Sequence, residues 1–147
     1  MEISGEHRFA APRTAVYQAL LDPKALQAAM PGCERFEEVG PSSYDLTIKV
    51  GIAAIKGTYS GNVKVADPVE NESYRLIVNG SGKPGSVQGD ATLTLTDDGA
   101  GTLVRYAGDV KAQGAIARLG SRLLGGAAKL MIGQFMKAME KQVQART

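Results

Sequence analysis

The chain has 147 residues, 44% hydrophobic and 22% charged, with a formal net charge of +2, which fits one soluble domain spanning residues 1–147 and long enough to bury a core. One cysteine, Cys33, excludes an internal disulfide, and one histidine, His7, leaves no Cys/His cluster at metal-ligand spacing. Little net charge, only 3 Phe and 5 Tyr, and no basic-aromatic interleaving argue against nucleic-acid binding.

The opening "MEISGEHRFAAP" has acidic residues and no apolar h-region, so it reads as cytoplasmic protein rather than signal peptide, with a first strand over residues 3–9. "APRTAVYQALLDPKALQAAMPG" is helical in pattern. Pro12 takes an N1-type position, Val16, Tyr17 and Leu20 share a face, Pro23 interrupts, Leu26 and Met30 continue, and Pro31-Gly32 stops the run. The prediction is two short helices between the first and second strands.

Alternation then takes over. After "CERFEEV" (33–39), "SYDLTIKV" (43–50) puts Tyr44, Leu46, Ile48 and Val50 on one face, and "TYSGNVKV" (58–65) does the same with Tyr59, Gly61, Val63 and Val65. "SYRLIVNGSG" (73–82) aligns Tyr74, Leu76, Val78 and Gly80; "SVQGDATLTLT" (86–96) aligns Val87, Gly89, Ala91, Leu93 and Leu95; "TLVRYAGDV" (102–110) aligns Val104, Tyr106, Gly108 and Val110. Each reads as a half-buried antiparallel strand, and the breaks "VGPSS", "ADPVENES", "GKPG" and "DDGAG" are hairpin turn chemistry. The last element is a long helix over about 114–144, in which Ile116, Leu119, Leu123, Ala127, Leu130 or Met131, Phe135, Met139 and Val143 follow a helical period.

Such an order, with seven strands, two short helices and one long terminal helix, has a simple α+β solution: a curved antiparallel sheet covers its apolar face with the C-terminal helix. Within that helix, "LGSRLLGGAAKLMIGQFM" carries four glycines, each costing roughly 1 kcal/mol against alanine. Its longest uncharged apolar run, 130–136, is far short of the roughly 20 residues that cross a bilayer. Glycines also fall near the inward phase of the strands, at Gly61, Gly80, Gly82, Gly89 and Gly108. Either they let the sheet coil and the helix pack closely, or they leave a void that a small molecule fills. An empty apolar void of about 300 Å³ would cost on the order of 7 kcal/mol, against a whole stability of about 5 to 15 kcal/mol. The helix glycines would then thin the wall opposite the strand glycines, so that leucine at Gly126 or Gly133 fills the pocket.

No constellation points to catalysis or a cofactor. His7, between Glu6 and Arg8, reads as an exposed sheet-edge side chain without a Ser or Cys partner, and Cys33 as a small buried thiol. Glu37-Glu38 and Asp97-Asp98 flank turns, and Asp90 and Arg105 carry the outward strand phase. "GSGKPG" lacks the Lys-Ser/Thr and strand-to-helix context of a phosphate loop. "GIAAIKG" (51–57) is apolar where a loop should be polar. It either continues a strand through a bend or sets Ile52, Ala53, Ala54 and Ile55 as a hydrophobic lip or docking surface. From Lys111 onward, Lys111, Arg118, Arg122, Lys129, Lys137, Lys141 and Arg146 face a single acid, Glu140. That basic tail suits an acidic partner or anionic lipid, or is simply a solvated helix face.

Over essentially its whole length, through "MPGCE", "KGTYSGNVKV", "GSGKPGSVQGDATLTL" and "LGSRLLGGAAKLMIGQFM", the chain resembles the CoxG family associated with carbon monoxide dehydrogenase, part of the START-like, or helix-grip (SRPBCC), superfamily. The resemblance implies a helix-grip fold around a hydrophobic cavity, and a non-catalytic protein that binds a quinone- or lipid-like molecule. It further implies a molybdenum hydroxylase such as carbon monoxide dehydrogenase as partner, helped to reach the membrane electron-transport chain. Many members carry a further C-terminal extension that contacts the membrane; this sequence stops at "QVQART", so the expectation is a cytoplasmic protein without stable anchoring, with at most peripheral contact at the inner face of the cell membrane. On this reading the candidate ligand-lining residues are Tyr59, Val63, Leu76, Val78, Val87, Ala91, Leu93, Val104 and Tyr106 from the sheet, with Leu123, Ala127, Leu130, Met131 and Phe135 from the helix. An assembly or membrane-recruitment factor is the alternative, and a cyclase or hydrolase on the same fold the least supported.

Overall fold

A computed structural model describes residues 1–146. One antiparallel sheet contains β1 (Glu2–Phe9), β2 (Cys33–Gly40), β3 (Ser43–Val50), β4 (Gly57–Val69), β5 (Ser73–Gly82), β6 (Gly85–Asp98) and β7 (Gly101–Gln113), in the order β1-β7-β6-β5-β4-β3-β2. The meander from β2 to β7 is made of hairpins. Two short helices, α1 (Arg13–Leu20) and α2 (Pro23–Ala29), carry the chain from one sheet edge to the other, and α3 (Gly120–Arg146) follows β7. This is the START-like, helix-grip arrangement expected from the sequence.

Local chemistry explains where boundaries differ from the sequence reading. Pro23 does not interrupt a helix; it starts α2, after Asp22 has capped it by accepting a hydrogen bond from the Lys24 amide at 3.0 Å. Pro12 is extended and sits at the N-cap of α1 rather than at N1. β4 runs on through Asp67-Pro68, because a bulge between Ala66 and Val69, with Asp67 at φ 49°, absorbs the irregularity. The long helix starts at Gly120, later than its apolar period suggests. A 3-10 turn, Ala115–Leu119, precedes it, bracketed by Gly114 and Gly120 at φ 85° and 83°, a backbone region where a side chain is strained.

Along α3 the molecule divides into a packed end and a hollow end. At the packed end the inward side chains are large: Phe9, Tyr74, Leu93, Leu95 and Val104 from the sheet meet Val16, Tyr17 and Leu20 of α1, Ala25 and Ala29 of α2, and Met136, Met139 and Val143 of α3. Polar groups there are satisfied. The Thr102 hydroxyl donates to the Ala11 carbonyl at 2.7 Å, the Tyr17 hydroxyl donates to the Ser73 carbonyl at 3.1 Å, and the Tyr17 and Tyr74 rings meet edge to face at 5.9 Å. A side-chain contact of His7 Nε2 with Glu140 and an ion pair of Arg146 with Asp22 fasten the C-terminal half of α3. His7 is therefore not an exposed edge residue: it shares the inward face of β1 with Ile3, Gly5 and Phe9, is 21% exposed, and lies edge-on to Phe9 at 5.1 Å.

At the other end glycine recurs among the inward positions. Gly61 and Gly80 stand opposite one another on β4 and β5, Gly89 lies one pair further along β6, Gly108 another along β7, and Gly5 another on β1. These five glycines form a diagonal across the sheet. At two of them the neighbouring backbone comes too close for a side chain: a Cβ at Gly61 would overlap the Asn79 carbonyl, and one at Gly108 the Asp90 carbonyl. The coiling reading holds for these two, and the concavity it produces is the hollow end.

Gly61→Ala should accordingly lower stability by about 1–3 kcal/mol, whereas Gly126→Ala, where the added Cβ meets open space, should raise it by up to about 1 kcal/mol; paired denaturant titrations check both signs. Met139→Ala, at a fully buried position, should cost about 2–5 kcal/mol, read as a lower urea midpoint.

Candidate functional site

The hollow end encloses a partly open cavity of about 350 Å³, within the range of small-molecule pockets. Its walls come from inward positions of adjacent strands: Leu46, Ile48 and Val50 of β3, Tyr59 and Gly61 of β4, Leu76, Val78 and Gly80 of β5, Val87, Gly89 and Ala91 of β6, and Val110 and Ala112 of β7. Met1 and Ile3 close the β1 side. Leu124, Ala127, Ala128, Met131 and Ile132 of α3 form the roof, with Ile55 and Ile116 contributed by the two 3-10 turns.

Polar chemistry is nearly absent from this surface. Ser60, Asn79, Gln88 and Asp90 border it from strand positions of outward phase; the Ser60 hydroxyl pairs with that of Thr47 at 3.2 Å and Asp90 with Arg75 at 2.5 Å on the far face. The Tyr59 hydroxyl donates to the Ile55 carbonyl at 2.7 Å, which ties the wall to the 3-10 turn, and burial pushes its phenol up from the ordinary range. No buried side-chain nitrogen or oxygen among the described residues lacks a partner. A site of this kind can exclude water and hold an apolar body, but it offers no acid, base or nucleophile.

The titratable groups weighed in the sequence lie elsewhere. Asp97 and Asp98 pair with Arg13 at 2.8 Å and Arg8 at 2.9 Å, and Glu6 with Arg105 at 3.2 Å, all near the surface. The Cys33 thiol is partly exposed rather than buried; it donates to the Arg35 carbonyl at 3.3 Å, and desolvation raises its pKa. No group of three or more His, Cys, Asp or Glu residues among the described ones could hold a metal ion. Among the described residues, no helix is long and apolar enough to cross a membrane.

Of the candidate ligand-lining residues, Tyr59, Leu76, Val78, Val87, Ala91, Ala127 and Met131 come together on the cavity wall. Leu93 and Val104 belong to the packed core, Tyr106 and Phe135 pack against that core, and Val63 is buried between Tyr44 and Val78 in its cross-strand row. Leu123 and Leu130 face outward, 55% and 51% exposed, because the stripe that meets the sheet runs Leu124, Ala128, Ile132, Met136 and Met139. For the same reason Gly126 and Gly133 do not thin the cavity roof: a Cβ at either would meet open space, so leucine there would not fill the cavity.

Leu123 and Leu130 instead line a shallower apolar groove of about 360 Å³, with Ile52, Ala54, Ile55, Leu119, Arg122, Gly126 and Ala127. Ile55 and Ala127 belong to both surfaces, so the groove and the cavity adjoin there. Ala53 is exposed and lines neither. Leu46, Ile48, Val50 and Val110, absent from the candidate set, have the inward phase of their strands and are legible from alternation. Met1, Ile116, Leu124 and Ala128 have no comparable signal.

Comparison with known proteins agrees with this architecture. A conserved protein from Geobacillus kaustophilus is 32% identical, with a TM-score of 0.95 over 99% of this chain and 96% of that one. A START superfamily protein from Mycobacterium smegmatis matches at 16% identity and a TM-score of 0.79, over 99% of each chain. A protein from Thermus thermophilus matches at 17% and 0.74, over 100% of this chain and 99% of the other; at these lower identities the likeness is one of fold. None of the curated proteins matches the sequence. The family model for CoxG, the G component of carbon monoxide dehydrogenase, matches residues 5–144, nearly the whole sheet together with the helix that roofs the cavity, and the chain belongs to the CoxG family.

Proposed function

We propose that this protein is a non-catalytic carrier of a quinone- or lipid-like molecule, serving a molybdenum hydroxylase of the carbon monoxide dehydrogenase type and linking it to the membrane quinone pool. The observation that carries the reading is the apolar cavity between the sheet and the N-terminal half of α3. At roughly 24 cal/mol per Å³, leaving that volume empty would forfeit on the order of 8 kcal/mol, comparable to the whole stability of a domain. A ligand recovers that loss. The family name supplies the enzyme partner, and the START-like fold supports a hydrophobic-ligand role. A cyclase or hydrolase would need a titratable pair on the wall, where the inward side chains are aliphatic apart from Met1, Met131 and Tyr59 with its engaged hydroxyl.

A second reading, recruitment of the enzyme or of a membrane surface, is favoured by one specific feature. The outward stripe of α3 exposes Leu123 and Leu130 beside Ile52 and Ala54 near the first 3-10 turn, next to the basic residues Arg118, Arg122 and Lys129. Exposed apolar side chains with Arg122 among them, and Arg118 and Lys129 next in sequence to Leu119 and Leu130, suit peripheral contact with an anionic surface at the inner face of the cell membrane. The two readings are compatible, since the groove adjoins the cavity.

Binding should be visible as stabilisation. A quinone or single-chain lipid present at about 100 times its Kd should add roughly 2.7 kcal/mol, a rise in Tm on the order of 5–10 °C, in a thermal melt; a flat response to both classes would remove the carrier reading. Ala128→Phe, which places a ring in the cavity, should weaken ligand by tenfold or more while the protein keeps its circular dichroism spectrum. The recruitment reading expects Ile52→Asp combined with Leu123→Asp to abolish co-sedimentation with anionic liposomes or with the purified hydroxylase, and unchanged co-sedimentation with both would count against it.

A further inference from the structure

The cavity and the groove differ in one respect that bears on the ligand. The cavity surface carries no charged side chain directed into it, whereas the groove carries one, Arg122, among aliphatic neighbours. Arg122 enters no ion pair or hydrogen bond among the described residues, in contrast to Arg8, Arg13, Arg75, Arg105 and Arg146, each of which meets a carboxylate. The acid of α3, Glu140, is engaged by His7 at the opposite end of the helix. Ile55 and Ala127 line both surfaces, so the groove and the cavity adjoin along them.

We propose that the groove receives the head group of the same molecule whose apolar tail fills the cavity, and that Arg122 donates to acceptor oxygens on that head. This rests on the carrier reading and narrows it: the ligand is an amphiphile, neither a pure hydrocarbon nor a molecule buried whole. A guanidinium presents several N–H donors in a planar fork and suits a carboxylate or phosphate oxygen pair, and it also serves a neutral carbonyl. The tail enters where no hydrogen bond can be made, and the oxygens stay where a donor and water remain. Acidic lipids and quinones share this chemistry, and salt separates them, because only an ionic contact at an exposed site is screened.

The test uses the full chain and three probes: the neutral fluorophore phenylnaphthylamine, palmitate, and a quinone with a short isoprenoid tail, the latter two measured by displacement of the first. Arg122→Gln should leave the affinity for the fluorophore unchanged and weaken palmitate, the quinone or both by about threefold to fivefold, the scale of a contact at an exposed position. Arg122→Lys should restore most of a loss in palmitate and little of a loss in quinone. If only palmitate responds, and its response disappears in molar salt, the head is acidic; a salt-independent loss with the quinone assigns the neutral carbonyl. Equal affinity of wild type and Arg122→Gln for both head-bearing probes, with the fluorophore still bound, overturns the head-group assignment and leaves the carrier reading standing. Failure of all three probes to bind wild type overturns both.

Discussion

One helix has to cover the concave face of a seven-stranded sheet, and that constraint shapes the molecule. A single helix is too narrow to cover so broad a face along its whole length. At one end α1 and α2 supply the missing side chains, and Phe9, Tyr74, Leu93, Leu95 and Val104 close on them and on Met136, Met139 and Val143 with the density of an ordinary core. At the other end the two 3-10 turns add only Ile55 and Ile116 to the cavity lining among the described residues, and the space is left open. The cavity is thus where the second layer runs out, and the sheet emphasises it by placing glycine and alanine where large residues would have filled it.

The same constraint explains the uneven character of α3. Its C-terminal half is anchored by buried methionines, by the contact of Glu140 with His7 and by the ion pair of Arg146 with Asp22. Its N-terminal half holds Gly120, Gly125 and Gly126 and is preceded by a turn set between two glycines of positive φ. Glycine weakens a helix by about 1 kcal/mol per site, and in α3 that weakness falls on the part that roofs the cavity. Burial and side-chain pairing are concentrated at the packed end and thin out toward the cavity, so local opening is expected to be easier over the cavity.

Most of the fold is legible in the sequence because the strands alternate cleanly and their turns carry Gly, Pro and Asp. β3 and β5 have the bounds that alternation implies, while β4 runs further, since a bulge at Asp67 lets a strand continue past a residue pair that otherwise signals a turn. Strand phase also tells which side chains point inward. It does not tell which inward positions meet α1 and α2 and which border the cavity, so by phase alone Leu93 and Val104 fall in with Leu76 and Val78. On α3 the phase itself is ambiguous: Leu119, Leu123 and Leu130 make an apolar stripe beside that of Leu124, Ala128 and Ile132, and with several small residues between them period alone does not choose. His7 escapes a local reading for a related reason, its partner Glu140 being 133 residues away in the chain.

The glycine diagonal bears on how the chain finds its native pairing. Sliding any of these strands by two residues against its neighbour would preserve the alternation of inward and outward side chains, so hydrophobic pattern alone penalises such a slip weakly. At Gly61 and Gly108 such a slip would bring a side-chain-bearing residue to a spot where only a bare backbone fits, beneath the carbonyls of Asn79 or Asp90. Two of the residues that hollow out the sheet also act as alignment marks: Gly61 fixes β4 against β5, and Gly108 fixes β7 against β6.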